Sequence, residues 1–171
     1  MTHLKQLALA VALSLSAAIA LADPTSAQVK APDFETLKKL AGEWHVVDST
    51  GKLTSTTRYE VTSAGTAVVE TMLVGTPEAM MTVYTRNGDA LSVTHYCSGG
   101  NQPFLTSKSS PVPNQLQFDF KSAGNLKSVE DPHMHSLTLT FIDENHVKQE
   151  WVSHVKGKAS ETLVLSLTRK T

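Results

Sequence analysis

From Trp44 to the C-terminus, apolar and polar residues alternate with a period of two, and turn residues interrupt the alternation roughly every 8–14 positions. The interruptions are Ser49-Thr50-Gly51, Ser63-Ala64-Gly65, Gly75-Thr76-Pro77, Asn87-Gly88, Ser98-Gly99-Gly100, Pro111-Val112-Pro113, Asp143-Glu144-Asn145 and Lys156-Gly157-Lys158. Asn87-Gly88 is the sharpest, because a type I′ hairpin turn needs positive φ at both central residues. A longer irregular stretch runs from Ser122 to Pro132. The segments predict about ten strands, near 43–49, 53–62, 66–75, 78–86, 90–97, 102–109, 114–121, 133–142, 146–155 and 160–169. Short connections make successive strands antiparallel neighbours, which describes an up-and-down meander. Closure into a barrel removes the two exposed edges, and an open two-sheet sandwich is the alternative.

Before the strands, Phe34, Leu37 and Leu40 are spaced three apart on one helical face. Asp33 suits the start, Lys38 and Lys39 suit the end, and Gly42 can stop the helix, so about two helical turns are expected.

Strand parity assigns side chains to faces. Leu116, Phe118 and Phe120 alternate with Gln117, Asp119 and Lys121, and Leu163, Leu165 and Leu167 alternate with Thr162, Ser166 and Thr168, with Val164 a partial exception. The apolar sets should face the interior. By the same rule Leu91, Val93, His95 and Cys97 face inward, as do His133, His135, Leu137, Leu139 and Phe141. Met134 and Ser136 then face outward. Trp151 shares a parity with Val147 and Gln149, while His146 and His154 take the opposite, solvent-facing parity, and His45 is outward too. In a strict meander the end of the fifth strand and the start of the eighth lie at one rim, beside the Gly99–Pro103 turn. Three histidines and the only cysteine therefore converge there.

The N-terminus changes the picture of where the protein works. Met1–Gln6 carries Lys5, Leu7–Leu21 is almost wholly apolar or small, and Ala20-Leu21-Ala22 is a small-x-small site. This is the layout of a secretory signal over 1–22, with cleavage after Ala27 as an alternative. The apolar run is short for a membrane span. The absence of a cysteine at the cleavage point argues against a lipid anchor. A polar leader over 23–31 precedes a single domain over 32–171, exported to the periplasm or the medium. The net charge of −1 becomes one unit more negative when Lys5 leaves, and no basic cluster predicts a nucleic-acid or membrane-surface partner. With Cys97 alone, no internal disulfide forms.

The segment Leu40-Ala41-Gly42-Glu43-Trp44, a short helix followed by Gly-x-Trp at the first strand, resembles the opening of lipocalin-type proteins. Thr94-His95-Tyr96-Cys97, Gly100-Asn101-Gln102-Pro103, His133-Met134-His135 and Glu150-Trp151 are similar to segments of a group of secreted bacterial lipocalin-like barrels. About ten strands resembles the fatty-acid-binding and nitrobindin-like branch of the calycin superfamily. The resemblance runs from about Phe34 to Arg169. It implies small-molecule binding inside a barrel, and its nitrobindin branch implies haem.

Three functional readings follow. The first is a carrier or sensor whose ligand meets His95, Cys97, Asn101, Gln102, His133, His135 and Trp151, with Met72, Met80, Met81 and phenylalanines as an adaptable lining. Two adjacent inward imidazoles need partners, which Asn101 and Gln102 or a ligand can supply. The second is a zinc or copper site on His95, Cys97, His133 and His135, since residues two apart on a strand are co-directed. The third, an enzyme using a Cys97–histidine pair, lacks a nucleophile elbow, paired carboxylates or a phosphate loop. Trp44 is expected to close the barrel floor.

Overall fold

A computed structural model describes residues 33–171. The segment expected to be a signal, its expected cleavage sites and the expected leader lie outside the described residues. Ten strands form one closed antiparallel barrel in which each strand pairs with its sequence neighbours and β1 pairs with β10. They are β1 Gly42–Val47, β2 Leu53–Thr62, β3 Ala67–Met72, β4 Met80–Asn87, β5 Ala90–Tyr96, β6 Gln102–Lys108, β7 Gln115–Gly124, β8 His133–Phe141, β9 His146–Val155 and β10 Lys158–Arg169. Among the described residues no helix is long and apolar enough to cross a membrane.

The helix is shorter than its periodicity predicts: α1 spans Phe34–Lys38. Asp33 caps it, accepting from the Thr36 backbone N–H at 3.1 Å while the Thr36 hydroxyl faces the Asp33 N–H. Phe34, Leu37 and Leu40 are buried and plug one end of the barrel. Trp44 is fully buried there, as expected of a floor residue, and its indole N–H donates to the Leu40 carbonyl at 2.7 Å. Arg169 stacks over Trp44 with its guanidinium carbon 4.3 Å from the ring centroid. It donates to the carbonyls of Lys39, Ala41 and Glu144, tying the last strand to the end of the helix, the segment before β1 and the β8–β9 turn. Gly42 sits at φ +126, with the Arg169 guanidinium 3.4 Å from where a Cβ would stand. The glycine of Gly-x-Trp is thus required by its backbone conformation.

Hairpin chemistry differs from the expectation at one turn. Asn87 pairs with Ala90, so the two-residue loop is Gly88-Asp89, with positive φ at Gly88 only. That is the pattern of a II′ turn, which wants glycine at its first central position. The turn with positive φ at both positions is Lys156-Gly157, between the paired Val155 and Lys158.

The barrel is not paired along its whole height. β1 meets β10 only from Trp44↔Arg169 to Val47↔Ser166. Lys158–Leu165 therefore runs on above β1 with β9 as its only ladder partner. This leaves a side opening at the end opposite α1.

Candidate functional site

The inward faces of β2, β3, β4 and β9 carry a buried polar network that lies below that opening. Tyr59 pairs with Glu70, and Glu70 with Thr82, so these side chains share one interior layer. Glu70 is fully buried. Its carboxyl accepts from the Tyr59 hydroxyl at 3.0 Å, from the Tyr84 hydroxyl at 2.7 Å and from the Gln149 side-chain amide. Gln149 also bridges to Tyr59, and its carbonyl accepts from the Trp151 indole N–H at 3.0 Å. All these donors are neutral. Burial raises the Glu70 pKa, partly offset by the bonds from Gln149, Tyr84 and Tyr59. Burial, then the neighbouring carboxyl, pushes both tyrosines well above their ordinary range.

His95 belongs to the same interior. It points inward as predicted and is 2% exposed. Its Nδ1 lies 2.9 Å from the Thr82 hydroxyl, and its ring packs on Trp151 at 4.8 Å. Burial pushes its pKa down to about 4, so the imidazole is neutral at neutral pH.

One layer above the network is a cavity of about 270 Å³ lined by Val46, Ser55, Thr57, Met72, Met80, Leu163 and Leu165, with Thr54 and Leu73 at its edge. Thr57 and Met72 stand two residues along from Tyr59 and Glu70 on the same strand faces. Leu163 is inward by register, opposite Trp151, yet 44% exposed, because it forms the lip of the side opening. A larger cleft of about 630 Å³, beside α1 and the β8–β9 turn, is a surface groove outside the barrel.

The other sequence-predicted residues are distributed differently. Cys97 lies just past β5, half-buried, with its sulfur accepting from the Gly99 N–H at 3.4 Å. Asn101 is buried but donates to the Pro132 carbonyl at 2.8 Å, and Gln102 donates to the Gly100 carbonyl at 3.1 Å. Neither serves a histidine. Asn101 ties the 97–101 turn to the 125–132 loop, as does Asn125, which donates to the Gly100 carbonyl, while the Gln102 bond stays within the turn.

His133 and His135 require a correction. The β8–β9 register runs Met134↔Ser153 and then Ser136↔Val152, leaving His135 as the extra residue of a β-bulge. One inserted residue reverses the face of everything before it. Met134 therefore packs against the core, and His133, opposite His154, takes the face opposite Trp151. The two histidines join His154, which is half-buried rather than solvent-exposed. His135 stacks on His154 with centroids 3.5 Å apart and planes 5° apart, and Phe120 lies 4.5 Å and 5.1 Å from the His133 and His135 rings. His133 Nδ1 donates to the Asp131 carbonyl at 2.7 Å, which leaves its Nε2 to accept from His135 Nδ1 at 3.1 Å. The His135 pKa is lowered by burial, then by His154 and His133, against a raising effect of Asp119.

The proposed ligand set His95, Cys97, His133 and His135 thus splits between the interior, a loop and the outer rim. Among the described residues no group of three or more His, Cys, Asp or Glu side chains is arranged to hold a metal ion. Nor does the stacked rim pair provide one. An imidazole ligand holds a metal in its own ring plane, and two parallel rings share no plane. Met81 is likewise outward and 43% exposed, so of the three methionines only Met72 and Met80 line the interior.

Tyr59, Thr57, Glu70, Thr82, Tyr84 and Gln149 were missed from sequence. One signal was available: Val68, Glu70 and Met72 share a parity, so a carboxyl continues an apolar face.

No family model matches the chain, and no curated protein matches it. Among solved structures, the chain is similar to the crystal structure of Rv2717c from M. tuberculosis. The match covers 83% of this chain and 99% of that one, at 13% identity and a TM-score of 0.52. At that identity the likeness speaks for the barrel fold alone.

Proposed function

We propose that this protein is an exported, lipocalin-like member of the calycin superfamily that carries or senses a small molecule held inside its barrel. The observation that carries the reading is the cavity above Glu70, open to solvent past Leu163 and walled mainly by aliphatic and thioether groups. An apolar concavity with a few polar groups beneath it is the ordinary form of a small-molecule site. Its volume of about 270 Å³ matches about nine waters of bulk liquid, which points to a ligand of on the order of ten non-hydrogen atoms. Met72 and Met80 give the wall adaptability.

Haem, which the nitrobindin-like resemblance implies, does not fit. A haem takes a histidine, cysteine, tyrosine or methionine ligand. The cavity wall offers only the Met72 and Met80 sulfurs, and His95 stands in the layer below, engaged by Thr82 and Trp151. The Cys97–histidine enzyme gains no support either, because among the described residues no histidine is bonded to the Cys97 sulfur.

Calorimetric titration with toluene, a small apolar molecule, tests the reading. Wild-type protein is expected to bind toluene. Met80→Trp, which fills the cavity, should abolish binding while the melting temperature stays within a few degrees. Absence of binding to wild type, or equal binding to both, ends the carrier reading. Protein taken from the periplasm or medium of its native cell should begin at Asp23 or Gln28, and an uncleaved N-terminus would end the export reading.

A further inference from the structure

We infer that the cavity selects an uncharged ligand whose polar end meets the Thr57 hydroxyl, and that it rejects carboxylates. The inference rests on the carrier reading and narrows its ligand.

Thr57 is 1% exposed and lines the cavity, yet its hydroxyl bonds to no other described residue. A hydroxyl that faces a cavity can both donate to and accept from a ligand placed there. Ser55, the next inward residue on β2, adds a second hydroxyl nearer the mouth. Facing them are the side chains of Val46, Met72, Met80, Leu163 and Leu165. The site therefore has one wall that hydrogen-bonds and another that is apolar.

Its electrostatics decide the charge of the ligand. No lysine, arginine or histidine lines the cavity. The layer beneath holds the Glu70 carboxyl, surrounded by the neutral donors Tyr59, Tyr84 and Gln149. His95, the nearest ionisable base in that layer, is already committed to Thr82 on one ring nitrogen. A carboxylate entering the cavity would lose its water, find no cation and sit above an acid. An ammonium would lose its water too, while Glu70 is already engaged by three donors. A neutral hydroxyl loses least, and Thr57 replaces the water it leaves.

The test is calorimetric titration of the full exported protein at neutral pH with 1-hexanol, hexanoate and hexylamine, which share a chain and differ in charge. Hexanol is expected to bind at least tenfold more tightly than either ion. Thr57→Val, which keeps the shape and removes the hydroxyl, should lower the affinity for hexanol relative to toluene about fivefold. Thr57→Ser should retain hexanol binding. Hexanoate or hexylamine binding as tightly as hexanol overturns the inference on wild-type protein alone, whatever the variants do. Thr57→Val binding hexanol as wild type does also overturns it. If toluene binds and the charge preference fails, only this inference falls. If neither toluene nor any of the three binds, the carrier reading falls with it.

Discussion

The barrel holds two concentrations of polar rings and acids, and they are built in opposite ways. The interior network around Glu70 is sealed from water, and its hydroxyls and amide are matched to one carboxyl. The rim group joins a buried His133 to the half-buried His135 and His154, held by ring stacking and one imidazole–imidazole bond. In the interior, burial sets every titration, and each polar atom is part of the packing. At the rim, burial and then the neighbouring His154 and His133 lower the His135 pKa, against a raising effect of Asp119, with solvent close by. The difference teaches that an ionisable cluster prominent in the sequence need not be the one at the centre of the site. The interior is where a single change should be most costly.

Glu70→Ala is expected to lower unfolding stability by about 3–5 kcal/mol, because the Tyr59 and Tyr84 hydroxyls and the Gln149 amide would lose their shared acceptor in a place water does not reach. Urea denaturation followed by tryptophan fluorescence measures it. A loss under about 1 kcal/mol would mean that water enters the network, and the contrast with the rim would disappear.

His95 sharpens the comparison through pH. Its folded pKa of about 4 lies below the ordinary 6.5, so between those values the unfolded chain holds the extra proton. Stability from this residue is complete above pH 6.5 and is lost as pH falls toward 4, by about 2–4 kcal/mol. Glu70 has the opposite sign. Its raised pKa contributes stability that is full below the ordinary 4.5 and is lost as pH rises through the folded value. His95→Gln should therefore flatten the acid side of the stability profile, and Glu70→Gln should steepen it. Denaturation midpoints from pH 4 to 8 give both slopes. An unchanged acid limb in His95→Gln would remove His95 from the dry interior.

The fold was legible because alternation and turn residues are local. Leu116, Phe118, Leu137 and Leu139 lie on the expected inner face, and every strand falls within a few residues of its predicted span. The rim was misread at one residue. Nothing in His133-Met134-His135 marks an inserted position, and the bulge is settled by which partner β9 offers. The Glu70 network was illegible for another reason. Its parity could be read, but Tyr59, Tyr84 and Gln149 reach it from three other strands, and only barrel closure brings Gln149 to Tyr59 across a separation of 90 residues. Side chains that meet across a barrel leave no periodic trace in the chain.

At the rim the expected effects are small, and their sign carries the information. His135→Phe keeps the stack on His154 and Phe120 while removing a titratable group. Burial and the adjacent His154 and His133 hold the His135 pKa below 6.5, so its contribution to stability is present above that value and lost as pH falls. At pH 7.5 the substitution should change stability by less than about 1 kcal/mol, since a stacked ring replaces a stacked ring at a half-open site. At pH 5 the variant should be more stable than wild type, because wild type there carries the cost of charging the His135 imidazole in its stack. Comparing urea midpoints at the two pH values isolates that cost from the loss of the His133 bond, which is common to both. A difference that does not change with pH would mean that the three rings act only as packing. The acid response of the molecule would then reside in the interior, at His95.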